Sequence, residues 1–345
     1  MAIPSLFDPL QLGDLALPNR IIMAPMTRCR AEGNVPNAMM AEYYRRRAEA
    51  GLIISEGVPI SPQAIGYPDV PGIWKPEQVE GWRLVTDAVH QAGGRILAQL
   101  WHVGRVSDPL YLKGERPVAP SAIAAPGHVS LLRPQKPYVT PRALELSEIA
   151  DIVEAFRRAA QNAKLAQFDG VEIHAANGYL LDQFLQDSSN QRTDEYGGPI
   201  ENRARLLLEV ADAAISVWGA GRVGVHLAPR CDSHGMGDRS PAATFVHVAQ
   251  ALGQRNVAFL FTREAQGPGM LGPQLKRAFG GNLIANQGLD KKVGVRILVA
   301  GEADAIAFGV PFIANADLVQ RLKNDLPFRA PRPEFFYLGG AEGYL

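Results

Sequence analysis

Cysteine is almost missing from this chain. Cys29 and Cys231 are the only two in 345 residues, too few for a disulfide framework or a four-cysteine metal site. Such scarcity fits a reducing cytoplasm, which is the expected location. An excess of charge is missing as well, since lysine plus arginine and aspartate plus glutamate number 35 each. No overall field would draw the molecule to nucleic acid or to an anionic membrane. No run approaches the roughly 18 apolar residues that span a bilayer. Met1-Ala2-Ile3-Pro4-Ser5 carries neither the basic nor the apolar part of a secretion signal, so an untargeted protein is expected. His102, His128 and His234 lack partners at metal-ligand spacing, and no metal site is expected. A G-x-G-x-x-G fingerprint after a strand is also absent, which argues against a dinucleotide-binding βαβ domain. Small molecules are the partners left, with a monomer or small homo-oligomer as the expected state.

What is present is a regular alternation. Short apolar runs bounded by turn residues fall at 20–26, 51–56, 95–101, 170–174, 222–228, 257–262, 282–286 and 304–308. Longer segments of helical period lie between and after them, at 38–50, 76–92, 147–166, 200–218, 242–252, 270–279 and 314–323. Eight strand-then-helix pairs predict an α/β fold, a single (βα)8 TIM barrel filling residues 1–345 as one domain. Residues 288–301 are a weak helix, because Val293-Gly294-Val295 is β-branched and interrupted by glycine. The proline-rich stretch 104–146 is too long for an ordinary connection and predicts an excursion over the barrel mouth after strand three. Met39, Met40, Met236 and Met270 read as packing residues, and Arg45-Arg46-Arg47 as a solvated helix face.

Active sites of such barrels lie at the C-terminal ends of the strands. There, period-two alternation puts Pro25 with Thr27, Gln99 with Trp101, and Glu172 with His174 on shared faces. His174 is followed by Asn177 and Tyr179, so an imidazole, a carboxamide and a phenol occupy six residues past one strand end. A neutral histidine and an asparagine amide can both donate to an oxygen that gains negative charge, and a tyrosine beside them can supply a proton. Any one of these alone could be a barrel-wall residue; the three together point to function. A Schiff-base lyase would want a lysine at a strand end, and none of the eight offers one. A non-catalytic barrel that binds a phosphorylated ligand is the remaining alternative.

Six motifs then carry a resemblance: Leu17-Pro18-Asn19-Arg20, Met23-Ala24-Pro25-Met26-Thr27-Arg28, Gly51-Leu52-Ile53-Ile54-Ser55-Glu56, Gln99-Leu100-Trp101-His102-Val103-Gly104-Arg105, Thr140-Pro141-Arg142-Ala143-Leu144, and Ser189-Asn190-Gln191-Arg192-Thr193-Asp194-Glu195-Tyr196-Gly197-Gly198. In register over nearly the whole length, the chain resembles the Old Yellow Enzyme family of FMN-dependent ene reductases, closest to the bacterial xenobiotic and nitroester reductase branch. The resemblance implies bound FMN, NADPH or NADH as reductant, and electron-poor alkenes such as 2-enones as acceptors, with nitro compounds and nitrate esters as further candidates. It implies that His174 and Asn177 hold the acceptor's oxygen and that Tyr179 protonates the neighbouring carbon. Thr27 would bond the flavin O4 edge, Gln99 the pyrimidine side, and Pro25, Met26 and Gly57 would line the ring. Tyr67, Trp101 and Tyr337 would wall the substrate pocket beside His174 and Asn177. The phosphate would sit on backbone N–H groups after strands seven and eight, around Asn286, Gln287, Phe308, Gly309 and Val310.

Two positions depart from the resemblance. His226 ends strand five where relatives carry an arginine beside flavin N1 and O2, and a histidine is a cation there only when protonated. Arg230, four residues on, is a candidate replacement charge. Val310 stands where an arginine would pair with the phosphate, removing a charge-assisted contact.

Overall fold

In the computed structural model, which describes residues 4–345, the eight apolar runs are eight parallel strands closed into a barrel. They are β1 (Ile21–Met23), β2 (Leu52–Pro59), β3 (Ile96–Trp101), β4 (Val171–Ala175), β5 (Val223–Leu227), β6 (Phe259–Arg263), β7 (Asn282–Asn286) and β8 (Ala305–Phe308). Each pairs with the next, and β8 closes on β1 with Ala307 opposite Ile22. β2 to β5 and β8 are buried along their whole length, as strands covered on both faces must be. Met1, Ala2 and Ile3, on which part of the signal reading rests, lie outside the described residues.

Seven helices follow the strands: α1 (Ala38–Arg45), α2 (Pro76–Gln91), α3 (Leu146–Leu165), α4 (Ile200–Trp218), α5 (Pro241–Gln254), α6 (Gly272–Phe279) and α7 (Lys291–Val299). After β8 the single helix expected at 314–323 is two short ones, Val310–Ala314 and Leu318–Lys323. Among the described residues no helix is long and apolar enough to cross a membrane. α7 corrects the reading of 288–301. The Asp290 side chain caps it by accepting from the Val293 N–H at 2.8 Å. Its Gly294 lets the helix approach β8 closely, since a Cβ there would stand 3.3 Å from two carbons of Ile306. Propensity is overridden by packing.

The basic run on α1 is also corrected in part. Arg45 and Arg46 are solvated and pair with Glu42, but Arg47 is buried, stacks 3.7 Å from the Tyr43 ring and donates to the Phe312 carbonyl at 2.9 Å. It ties α1 to the segment after β8.

The two ends of the barrel are closed differently. At the N-terminal end an antiparallel hairpin, Leu10–Leu12 with Leu15–Leu17, sends Leu12, Leu15 and Leu17 into the interior cluster with Leu52, Leu97 and Phe259. Its turn needs Gly13, which has φ +57° and leaves 2.3 Å between a hypothetical Cβ and the Gly221 carbonyl. At the C-terminal end the 104–146 excursion contributes Val106, Leu112, Ala125, Val129 and Tyr138, which pack with Trp101 and Tyr179. The mouth is therefore roofed on one side.

The segment after β4, including the short helix Leu180–Leu185, is pinned from α4. Arg203 donates to the Gly198 carbonyl at 3.1 Å, bonds the Leu185 carbonyl, and pairs with the buried carboxylate of Asp238 at 2.6 Å. Arg203→Met would strand the Asp238 carboxylate in the interior. A loss of about 3–5 kcal/mol is expected, read as a lower midpoint in urea unfolding.

Candidate active site

Every residue singled out for cofactor, substrate or proton transfer except Arg230 lines one cavity of about 560 Å³ at the C-terminal ends of the strands, a size suited to a small organic ligand. β1 delivers Pro25, Met26 and Thr27; β2 delivers Gly57; β3 delivers Gln99 and Trp101; β4 and its loop deliver His174, Asn177 and Tyr179; β5 delivers His226. Asn286 and Gln287 enter from β7, and Phe308, Gly309 and Val310 from β8. Tyr67 and Tyr337 come from distant loops. One polar side chain of the lining went unread. Arg263 ends β6 and reaches the cavity, whereas the sequence reading stopped that strand at Thr262.

Local structure explains how these side chains are presented. The Arg28 backbone N–H donates to buried Glu56 at 3.2 Å, fixing the turn that carries Pro25 to Thr27. The Arg28 guanidinium grips the C-terminal tail, donating to Phe336 O at 2.8 Å and Gly343 O at 3.0 Å, while Tyr344 stacks on Tyr43 at 4.2 Å. The tail is thus anchored on both sides of Tyr337. Asn177 adopts φ +59° in the tight turn before Tyr179, a left-handed conformation that asparagine tolerates better than most residues.

On the floor, paired residues share a face, so Gln99, Glu172, His174 and His226 all turn inward. The Gln99 amide nitrogen donates to Glu172 Oε2 at 2.6 Å and faces His226 Nδ1 at 3.3 Å. That commits both its hydrogens and leaves the Gln99 carbonyl oxygen as an acceptor. It also puts the proton of a neutral His226 on Nε2, which is buried without a protein partner, as is His174 Nδ1. The two imidazoles stack 5.0 Å apart.

Burial sets the charges. It pushes the Glu172 carboxyl up to about 8 and holds His226 down to about 3, with the Arg263 cation adding to the effect. The 3.7 Å contact of His226 with Glu172 is therefore one between neutral groups at neutral pH. His174 is held well below its ordinary range by burial, then by His226 and Arg263. Of the two states open to His226, burial favours the neutral one. The reading of Arg230 as a replacement charge is corrected: it turns away to Glu264 at 2.7 Å and to the Ala265 and Pro268 carbonyls.

Tyr179 lies above this floor. Its hydroxyl is 3.0 Å from that of Tyr67, and its ring meets those of Trp101 and His174 edge-on at 4.9 and 5.0 Å. Burial lifts its pKa well above 10, with Tyr67 contributing. It is a buried, protonated phenol beside two neutral hydrogen-bond donors.

The sequence pattern of one family, described as NADH:flavin oxidoreductase / NADH oxidase, matches residues 5–329. The chain belongs to this family. The "Probable flavin mononucleotide-dependent alkene reductase" of Leishmania infantum is 42% identical, over 99% of this chain and 97% of that protein. The solved Old Yellow Enzyme homologue of Zymomonas mobilis superposes with a TM-score of 0.96 at 45% identity, covering 99% of this chain and 98% of its own. Morphinone reductase in complex with tetrahydroNAD does so at 0.96 and 48%, covering 99% and 96%. For a flavin oxidoreductase of this family, the unread residue is the informative one, because Arg263 places a cation where neutral His226 supplies none.

Proposed function

We propose that this chain is an FMN-dependent NAD(P)H oxidoreductase, an ene reductase that acts on electron-poor alkenes such as 2-enones. Nitro compounds and nitrate esters are further acceptors that the same oxygen-binding donors suit. The observation that carries the reading is the convergence of neutral His174, Asn177 and protonated Tyr179 on one cavity, all from a single strand end. A barrel that merely bound a phosphorylated ligand would have no use for a buried phenol beside two donors.

The residues fit FMN. Unpartnered His226 Nε2 is a buried donor and the Gln99 carbonyl an acceptor, the complement of a flavin pyrimidine edge. Pro25, Met26, Thr27 and Gly57 would lie along the ring. Asn286, Gln287, Phe308, Gly309 and Val310 would hold the ribityl phosphate, supported by the backbone at Gln287 and Gly288, whose φ values of +97° and +65° turn successive N–H groups toward one side. Met26 packs on Gly309 so closely that a Cβ there would lie 2.8 Å from its sulfur. When bound, FMN would supply the hydride chemistry that no side chain can perform.

The chain's own part is orientation, charge stabilisation and proton delivery. His174 and Asn177 would hold the carbonyl or nitro oxygen, stabilising the charge it gains as hydride arrives at the β-carbon. Tyr179 would protonate the α-carbon, its hydroxyl aligned by Tyr67. Tyr67, Trp101 and Tyr337 would wall the acceptor. We further propose one FMN-binding domain spanning 1–345, a cytoplasmic location in keeping with free Cys29 and Cys231, and a monomer or small homo-oligomer.

The decisive experiment is spectroscopic. Purified protein should be yellow, release FMN on denaturation, bleach anaerobically with NADPH or NADH, and regain colour with 2-cyclohexenone. Colourless protein that takes up no FMN, or bleached protein that no enone reoxidises, overturns the reading.

A neutral His226 gives a pH prediction. It is faced by Gln99, Glu172, His174, Phe261 and Arg263, and its proton is lost already at about pH 3. The Glu172 carboxyl 3.7 Å away is itself lifted to about 8, and an arginine beside it would draw it down, so the comparison is made in a Glu172→Gln background. There, plots of flavin potential against pH with His226 and with His226→Arg should run parallel between about pH 6 and 8, any difference being a constant offset. An inflection with His226 that is absent with His226→Arg in that background would mean that His226 does titrate there.

A further inference from the structure

Arg263 is the only lysine or arginine among the described residues that line the cavity. Its place follows from register. On β6, Phe261 pairs with His226 of β5, and Arg263, two residues on and so on the same face, pairs with Asn286 of β7. The Phe261 ring packs 4.3 Å from His226, and the guanidinium stands one layer nearer the mouth. Its Nη1 donates to Asn177 Oδ1 at 2.8 Å.

What Arg263 lacks is a counter-ion. No carboxylate pairs with it among the described residues. Its neighbour Glu264 is taken by Arg230 and by the backbone N–H groups of Leu271 and Gly272. The other contact is a long one, 3.8 Å to Cys231 Sγ. Arginine stays charged at any working pH, and a half-buried unneutralised cation costs free energy unless a ligand supplies the opposite charge. Within this cavity both histidines are held neutral. The site therefore carries one positive charge, and it is on β6.

The bond to Asn177 has a second consequence. With Oδ1 committed to the guanidinium, the Asn177 NH2 is the end left for the cavity, which is the end an acceptor oxygen needs. Arg263 thereby joins the oxygen-holding pair to the charge of the site.

We propose that Arg263 is the fixed cation of this active site: it orients Asn177 and stabilises the anionic pyrimidine edge of reduced flavin, a duty that neutral His226 leaves open. The inference rests on the reading of the cavity as an FMN site. Reduced flavin carries its negative charge at N1 and the adjoining carbonyl, so a neighbouring cation binds the reduced form more tightly than the oxidised form. The competing location for the charge is the FMN phosphate, which is anionic in both redox states.

The test uses holoenzyme bearing Arg263→Gln or Arg263→Lys. The midpoint potential of bound FMN is measured by spectroelectrochemistry, and the affinities of apoprotein for FMN and riboflavin by fluorescence quenching. Arg263→Gln should weaken the preference for reduced over oxidised flavin by about tenfold, a fall of about 30 mV for a two-electron couple. Arg263→Lys should recover most of it. FMN and riboflavin affinities should change by similar factors. Simple phenol binding should weaken in Arg263→Gln, and adding Asn177→Ala should then cost less than it does in wild type. An unchanged potential in Arg263→Gln overturns the proposal, and a loss of affinity confined to FMN would assign the cation to the phosphate. Wild-type protein without reducible FMN would instead sink the functional reading itself.

Discussion

Tyr179→Phe should slow alkene reduction by about 10²–10⁴-fold, the usual worth of a positioned general acid, while flavin reduction by NAD(P)H changes little. The asymmetry comes from where protons are needed. Saturating a carbon–carbon double bond requires a hydride at one carbon and a proton at the other; passing hydride from nicotinamide to flavin requires no proton from this residue. Tyr179 is equipped for the first task, being buried, lifted well above pKa 10, and bonded to Tyr67 at 3.0 Å. Tyr67 is itself pushed up to about 12 by burial, so the pair stays protonated across the neutral range and either hydroxyl can donate to the other. Phenylalanine keeps the edge-on packing against Trp101 and His174, so the pocket should survive. Anaerobic stopped-flow separates the two half-reactions. Nitro compounds, which take their proton on oxygen, should be less affected than enones. Equal slowing of both half-reactions would mean that Tyr179 places ligands and transfers no proton.

What was legible beforehand followed from pattern and position. Strands buried on both faces leave continuous apolar runs, so all eight could be located within a few residues, and polar groups that end such runs are few enough to inspect singly. His174, Asn177 and Tyr179 stood out for that reason. The misses are of three physical kinds. The hairpin 10–17 has strands of three residues, too short for a period to show. Gly294 counted against a helix until Ile306 was seen to need the space, a tertiary fact that composition does not carry. Arg47 and Arg263 were lost because charge in sequence says nothing about burial: a cation beside a tyrosine face or an asparagine carbonyl reads the same as a solvated one. Arg263 had a usable signal, since extending β6 by one residue puts an arginine at a strand end. The neutral state of His226 had none, because its depressed pKa arises from a barrel floor assembled from β3, β4, β5 and β6.

Removing the oxygen-holding pair should cost about as much as removing the acid, but with a different pattern. His174→Ala and Asn177→Ala are each expected to slow enone turnover on the order of a hundredfold, the typical loss for one donor aimed at a developing oxyanion. Both donors are neutral: His174 is kept so by burial, and Asn177 presents its NH2 because its carbonyl is bonded to Arg263 at 2.8 Å. A neutral donor gains most when charge appears on the oxygen, so kcat should fall more than KM rises. Phenolic ligands, which carry that charge already as phenolates, should lose affinity in parallel with turnover. The double variant should lose less than the product of the two single effects, since both donors serve one oxygen. FMN should remain bound, because neither side chain is among those proposed to hold it. Titration with 4-hydroxybenzaldehyde, followed by long-wavelength charge-transfer absorbance, gives the affinity independently of catalysis. Wild-type phenol affinity in the double variant would remove His174 and Asn177 from the oxygen site.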